Sequence, residues 1–397
     1  MPTAWRVLDR VDAEHLPAVR AARAAARQAA WAAGAGPDLG GELRIDRRVA
    51  AFVVVRTSML EASTVPRPFP ERLRILLDRI RRVPRPWRRV HDVRGGVQAQ
   101  VQLGILRAVV LAARPLGQRG AHRVTWRLAR LFEPHNDAVV DTGHGRFLVP
   151  LGDGYAVKLL DPTYHYEPEL EPYFAAAMRA GCAFLDGGAN LGYWSVVASD
   201  ECDEPGRVVA VEPVPAIFAR LRENARLNDD RFVCEQAALW SEPDVDLTMA
   251  SHPQWHAGSR VLHGPRAAAE GQYTTRVPTT TIDRVARRYW PDERPLLIKL
   301  DVEGAESAAL AGGEDTLANR DVVLIYEDHG SDPEHTSTRA VLEDLGFRVY
   351  ACTRNGPVEI GELDDVARIK TDTVRGFNFL AFHPRSTVGP AVLAAAA

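Results

Sequence analysis

The sequence predicts an α/β protein, in which a largely parallel sheet carries helices on both faces and an antiparallel pair at its end, preceded by an Arg-rich helical region. Three observations predict it. Residues 182–195, Cys-Ala-Phe-Leu-Asp-Gly-Gly-Ala-Asn-Leu-Gly-Tyr-Trp-Ser, read as a strand, a glycine-rich turn and the start of a helix. Strand and helix patterns then alternate to residue 382, as repeated βα units require. Finally, Asp186, Glu212, Ala237, Asp301 and Glu327 each fall at the carboxyl end of an expected strand, the edge of such a sheet where ligands bind.

The 397 residues can form one large domain or two ordinary ones, and the formal net charge is −3. That balance conceals an asymmetry, because arginine far outnumbers Asp and Glu over the first 130 residues. Cys182, Cys202, Cys234 and Cys352 show no C-x-x-C spacing and read as free thiols in a reducing compartment. The N-terminal residues include acids and no long apolar core, and the apolar runs at 50–55 and 108–113 are too short to span a bilayer. A cytoplasmic protein without a transmembrane segment is therefore expected. Its expected parts are an Arg/Ala-rich, mainly helical region over 1–135 whose role is open, an α/β domain over 136–385, and a disordered tail over 386–397.

Taken in order, an Ala- and Arg-rich helix runs to about residue 33 and ends at Gly34-Ala35-Gly36-Pro37. Residues 44–60 fit helix or strand equally. Leu73, Leu76, Leu77 and Ile80 share one face of a helix over 71–83, which Pro84-Arg85-Pro86 ends. Further helices follow at 97–113 and 122–132. This basic region has two readings: an electrostatic surface for nucleic acid, anionic lipid or an acidic partner protein, or a solvated cap whose arginines pair with the acidic remainder. Lysine is scarce throughout, which weakens the first.

From Asp137 the pattern changes. Residues 138–141 and 146–149 flank Thr142-Gly143-His144-Gly145 as a hairpin, and Tyr166-Glu167-Pro168-Glu169 leads a helix to Ala180. After the central turn, strands are expected at 207–211, 231–236, 245–249, 273–277, 295–300, 322–326, 347–352 and 377–382. Helices are expected at 215–227, 280–289 with Thr279 or Thr280 as its cap, 305–318 and 334–345.

The composition of the central turn selects its ligand. Gly188 and Gly192 remove side chains that would hold a ligand off the backbone, Asn190 tolerates a left-handed conformation, and the helix beginning there presents free N–H groups. A dinucleotide site would read G-x-G-x-x-G, and an acid closing its first strand would repel the pyrophosphate. Here the order is Asp186-x-Gly188-x-Asn190-x-Gly192. An anion beside the turn suits a ligand carrying an ammonium or sulfonium, as S-adenosylmethionine (SAM) does. Glu212 ends the next strand, where an acid accepts hydrogen bonds from ribose hydroxyls, and Ala237 and Ala238 offer small side chains to an adenine edge.

The second signal is Lys299-Leu300-Asp301-Val302-Glu303-Gly304-Ala305-Glu306. A lysine in an apolar strand is costly to bury unless paired, and period-two alternation puts Lys299, Asp301 and Glu303 on one side. Three roles are open: a carboxylate takes the proton of an attacking hydroxyl, Lys299 does so with a lowered pKa, or the group binds ligand and orders the loop.

These stretches, with Val211-Glu212-Pro213 and Thr281-Ile282-Asp283, resemble the FkbM family of SAM-dependent methyltransferases over residues 138–383. The resemblance implies a seven-stranded, Rossmann-like class I methyltransferase sheet, SAM as donor, and O-methylation of a hydroxylated small molecule such as a sugar, glycolipid or secondary metabolite. It carries cofactor contacts onto Glu167, Asp186, Gly187, Gly188, Asn190, Gly192, Ser195, Glu212, Ala237 and Ala238. The catalytic candidates beside the acceptor are Lys299, Asp301, Glu303 and Glu327. Metal ligands are not expected, since Asp301 and Glu303 lack a clear third partner. The chain departs from the family's usual pattern at Gly187, where a bulkier residue is common, and at Ile282, where leucine is. Two rival readings are a nucleic-acid methyltransferase and a non-catalytic SAM-binding partner module. The first usually presents an Asn/Asp-Pro-Pro-aromatic turn where this chain has Asp301-Val302-Glu303-Gly304.

Overall fold

The computed structural model describes residues 90–395, except 114–123, 126, 129–130, 133–135, 163, 203, 205, 253–254, 263–271 and 373–375. The expectations for 1–33, 44–60 and 71–83, and with them most of the Arg-rich region, lie outside the described residues, as does part of 122–132. The first strands are β1 (Val90–Arg94), β2 (Asp137–Asp141) and β3 (Arg146–Pro150), an antiparallel sheet in that order. Next come β4 (Ala183–Gly187), β5 (Val208–Val211) and β6 (Val233–Glu235), all parallel. A four-stranded sheet interrupts them, built from β7 (Ala238–Leu239), β8 (Asp246–His252), β9 (Trp255–Val261) and β10 (Tyr273–Thr280), in the order β7-β10-β8-β9. The chain then returns through β11 (Leu296–Leu300), β12 (Val322–His329), β13 (Arg348–Thr353), β14 (Gly356–Ile360) and β15 (Gly376–Phe382).

The main sheet has the order β14-β13-β15-β12-β11-β4-β5-β6. After β4 the chain moves outward to β5 and β6, then crosses back to β11 on β4's other side. The connections from β4 and β11 therefore leave in opposite directions, which makes this the switch point beside which ligands bind in such sheets. β15 runs antiparallel to β12 and to β13.

Both faces of the sheet are apolar, which is why its central strands are nearly free of charge. Phe184, Val208, Ala210, Leu297, Val323 and Ile325 pack on one side against helices that include Glu171–Arg179, Tyr193–Asp200 and Pro215–Leu227. Leu185, Val209, Ile298, Leu300 and Leu324 pack on the other, against Ile282–Tyr289, Glu314–Asn319 and Leu363–Ile369. Asp186 and Lys299 share the first face, because each lies two residues beyond an apolar residue of it, Phe184 or Leu297. The four cysteines are free thiols, and Cys182 and Cys202 are buried. Among the described residues, no helix is long and apolar enough to cross a membrane.

Several expectations need correction. The sheet has eight strands rather than seven, because Asn355-Gly356 turns the chain back at a glycine φ of 105° and pairs β14 with β13. Asn-Gly is itself a hairpin signal. The boundary expected at 135/136 would separate β1 from its partner β2, and the described residues from Val90 on form one unit. Thr281, not Thr279 or Thr280, caps the helix Ile282–Tyr289, accepting the Arg284 N–H at 3.1 Å; Thr279 and Thr280 are committed to β10. The helix expected at 305–318 divides into Glu306–Ala311 and Glu314–Asn319. At the break, a Cβ on Gly312 would lie 2.0 Å from the Trp240 carbonyl oxygen. Residues 386–395 are not a disordered tail. Asp321 accepts hydrogen bonds from Ser386 and Thr387, and the helix Gly389–Ala394 buries Val392.

Candidate functional site

The turn after β4 is built by backbone crossing rather than by empty space. Gly188 and Ala189 both donate their N–H groups to the Val211 carbonyl, at 3.0 Å. Asn190 adopts the left-handed conformation at φ 52°, as its residue type allows, and Gly192 begins the helix Tyr193–Asp200 at φ 83°. The glycines do not clear room for a ligand, however. A Cβ on Gly188 would stand 1.9 Å from the Asp301 carbonyl oxygen, and one on Gly192 would stand 2.5 Å from Leu221. Gly187 likewise faces Leu239 and Leu300, which occupy the volume a bulkier residue would need. The three glycines let protein segments approach each other, and the ligand-facing surface consists of the groups they bring together.

Foremost among these are carboxylates. Glu212, buried just beyond β5, accepts the Asn190 N–H at 3.0 Å on one oxygen and the Val214 N–H at 2.9 Å on the other. Burial nevertheless dominates and raises its pKa to about 7. Asp186, also buried, accepts the Ser195 hydroxyl at 2.5 Å; its pKa is raised to about 6 by burial, against the opposing pull of Lys299. Ser195 is fully buried and turned onto this carboxylate. Glu167 holds the left-handed φ of 45° and accepts the Trp194 Nε1–H at 2.8 Å and the Asn378 Nδ2–H at 3.2 Å. Its pKa too is pushed up, chiefly by burial. A left-handed non-glycine persists where its surroundings over-determine it, and here a side-chain hydrogen bond on each oxygen does so.

Lys299 stands beside Asp186 in the register of β11 on β4 and donates to Asp301 at 2.8 Å. Burial pulls its pKa down, but Asp301, Glu167 and Asp186 outweigh burial and hold it above the ordinary lysine value. A lysine so surrounded stays an ammonium, so the reading of it as a base loses its physical ground. Asp301 is held below the usual carboxylate range: burial raises it, but Lys299 and a hydrogen bond from Glu327 prevail. Glu327 is the complement, raised to about 10 by burial and by Asp301. The two share a proton that rests on Glu327. A side chain on Gly376 would displace Glu327, since its Cβ would fall 1.0 Å from Oε1.

Glu303 does not join Lys299 and Asp301. β11 ends at Leu300, alternation stops with it, and Glu303 is exposed at φ 53°. The acid facing inward is instead Glu306, which accepts the N–H groups of Val302 and Gly304 at 3.1 and 3.0 Å and closes the loop that carries Asp301. Ala237 and Ala238 are buried at the β6–β7 junction. The expected residues are thus gathered around the carboxyl ends of β4, β5, β11 and β12, with Glu303 turned outward. Sequence reasoning did not single out Asn378, Trp194, Tyr164 or Tyr166 as site residues. Tyr166 packs on Tyr193 at 5.1 Å between centroids, and its hydroxyl is kept protonated by Glu167, then by burial and Asp301. Its place in Tyr166-Glu167-Pro168-Glu169 was the available signal. Among the described residues no group of His, Cys, Asp and Glu could hold a metal ion.

The chain is similar to known methyltransferases. A family model described as the methyltransferase FkbM domain matches residues 186–349. The 31-O-demethyl-FK506 methyltransferase FkbM of Streptomyces tacrolimicus is 30% identical over 221 residues, covering 49% of this chain and 83% of that one. Methyltransferase sdnD of Sordaria araneosa is 26% identical over 226 residues, covering 49% and 85%. Among solved structures, methyltransferase FkbM from Methylobacillus flagellatus KT superposes with a TM-score of 0.31 at 14% identity, covering 57% of this chain and 52% of that one. The O-methyltransferase from Bacillus cereus in complex with SAH gives a TM-score of 0.32 at 14% identity, covering 56% and 84%.

Proposed function

The chain belongs to the FkbM methyltransferase family, and on that premise we propose that it moves the methyl group of SAM onto a hydroxyl of a sugar, glycolipid or secondary metabolite. The observation that carries this reading is the row of acids at the switch point of the sheet, with Asp186 beside the turn and Glu212 holding it. The donor set fits that cofactor. Carboxylates outnumber the base Lys299, which suits a ligand bearing a sulfonium and an ammonium. Glu212 spends one lone pair per oxygen on backbone N–H groups and keeps others for ribose hydroxyls.

When bound, the cofactor would supply an electrophilic methyl for an in-line displacement. The rest falls to the chain. Asp301, ionised and braced by Lys299 and Glu327, accepts a hydrogen bond from the acceptor hydroxyl and aims its oxygen. Braced in this way it is a weak base at rest. That suffices, because the oxygen becomes strongly acidic only as the new C–O bond forms, and the proton then passes to the carboxylate. An oxygen acceptor is further supported by the relative named for acting on 31-O-demethyl-FK506.

Calorimetric titration with S-adenosylhomocysteine (SAH) and, separately, NAD tests the cofactor: binding of SAH alone is expected, and binding of NAD alone would refute the reading. Labelled methyl transfer to a panel of hydroxylated metabolites tests the reaction. In that assay Asp301→Asn is expected to lower kcat by about a hundredfold; retention of full kcat would remove Asp301 from its role.

A further inference from the structure

Glu167, Asp186, Glu212, Asp301 and Glu327 are buried or half-buried and act on one another across the ends of four strands. Among the described residues, Lys299 is the base that acts on this cluster, and it bonds directly to Asp301. The remaining partners are neutral dipoles. They are the Trp194 and Asn378 N–H groups on Glu167, the Ser195 hydroxyl on Asp186, and the Asn190 and Val214 N–H groups on Glu212. Such donors satisfy lone pairs without supplying charge, so the fully ionised cluster would carry more negative charge than its surroundings offset.

We infer that this imbalance is how the protein tells the charged methyl donor from its demethylated product: a sulfonium supplies the positive charge the cluster lacks, a thioether does not, and donor binding expels a proton that product binding leaves in place. The inference rests on the SAM reading above. Donor and product share the adenine, ribose, ammonium and carboxylate, so those contacts cancel between them. What remains is one positive charge and one methyl group.

The proton has defined sources. Buried carboxylates without a cation take up protons instead of remaining charged, and burial holds Asp186 near 6 and Glu212 near 7 and moves Glu167 in the same direction. The charged and titratable groups acting on them are Lys299 and Asp301 from β11 and its loop, Tyr164 and Tyr166 from the segment before the helix Glu171–Arg179, Cys234 from β6 and Cys352 from β13, while Glu327 from β12 and Glu306 act on Asp301. A cation beside the cluster favours the ionised forms. One carboxyl O–H bond then breaks, the electron pair stays on the carboxylate, and the proton leaves to buffer.

The test is calorimetry of the full chain with SAM and with SAH, from about pH 6 to about pH 8, in buffers of different ionisation enthalpy. Near neutral pH, SAM is expected to release about one proton more than SAH. Its Kd should tighten by up to about tenfold per pH unit over the lower part of that range, while the SAH Kd changes by about twofold or less. In Glu167→Gln the gap between the two ligands should shrink. Equal proton release by both ligands in the unmodified protein would overturn the inference and leave the cofactor reading standing. Failure of both to bind would overturn the cofactor reading, and the inference with it.

Discussion

Gly188→Ala tests whether the turn exists to admit a neighbouring backbone rather than a ligand. The added Cβ would stand 1.9 Å from the carbonyl oxygen of Asp301 and 2.8 Å from its carbonyl carbon, at φ +74°. The left-handed backbone costs alanine about 1–2 kcal/mol. Separating two crowded backbones adds the cost of overpacking, about 1–3 kcal/mol. The total is about 2–5 kcal/mol of lost stability. Gly346→Ala is the control, because its φ is +63° but a Cβ there meets nothing within 4 Å; it should lose about 1–2 kcal/mol, the conformational part alone. Urea unfolding followed by circular dichroism would measure both variants. Asp301 is displaced with its own carbonyl, so Gly188→Ala should also weaken SAH binding while Gly346→Ala should not. Equal destabilisation of the two variants would refute the reasoning, and SAH affinity lost alongside it would restore the glycine as a maker of ligand room.

Lys370→Met should destabilise the fold by about 3–5 kcal/mol, since Lys370 and Asp328 are both buried and paired at 2.5 Å and the substitution strands the carboxylate; a loss below about 1 kcal/mol in a chemical melt would contradict that. Glu306 has its pKa raised to about 7 by burial. A carboxyl raised on folding stabilises fully below its unfolded pKa and loses that contribution as pH climbs through its folded pKa. The unmodified protein should therefore lose stability relative to Glu306→Gln from about pH 4.5 to about pH 7, at up to about 1.4 kcal/mol per pH unit; parallel stability curves would show the sign to be wrong. Asp321→Ala frees Ser386 and Thr387, and limited proteolysis should then cut within 386–395 first. Unchanged cleavage there would mean that Val392 anchors the segment by itself.

What could be read in the chain was what neighbouring residues decide. Asn190 reads as tolerating a left-handed conformation, and its φ is positive, because that preference is a property of a residue and its own backbone. The alternation of apolar runs located the strands of the parallel region to within a few residues, since burial on two faces demands such runs. Acids at strand ends pointed to the switch-point edge for the same local reason. Gly356, by contrast, carried a hairpin signal that went unread, and with it β14.

The tertiary structure decided everything that needs two distant segments at once. Gly188 looks like room for a ligand until the loop at Asp301, remote in sequence, is laid across it. Glu303 looks like a companion of Lys299 until the strand stops at Leu300 and the loop turns it outward, leaving Glu306 to face inward. The state of Lys299 is the clearest case. Its burial alone lowers its pKa, and only the convergence of Asp301, Glu167 and Asp186 from three stretches of chain reverses the sign. Side-chain type and local period are written residue by residue, whereas crowding and electrostatic balance are sums over neighbours that exist only after the chain has folded.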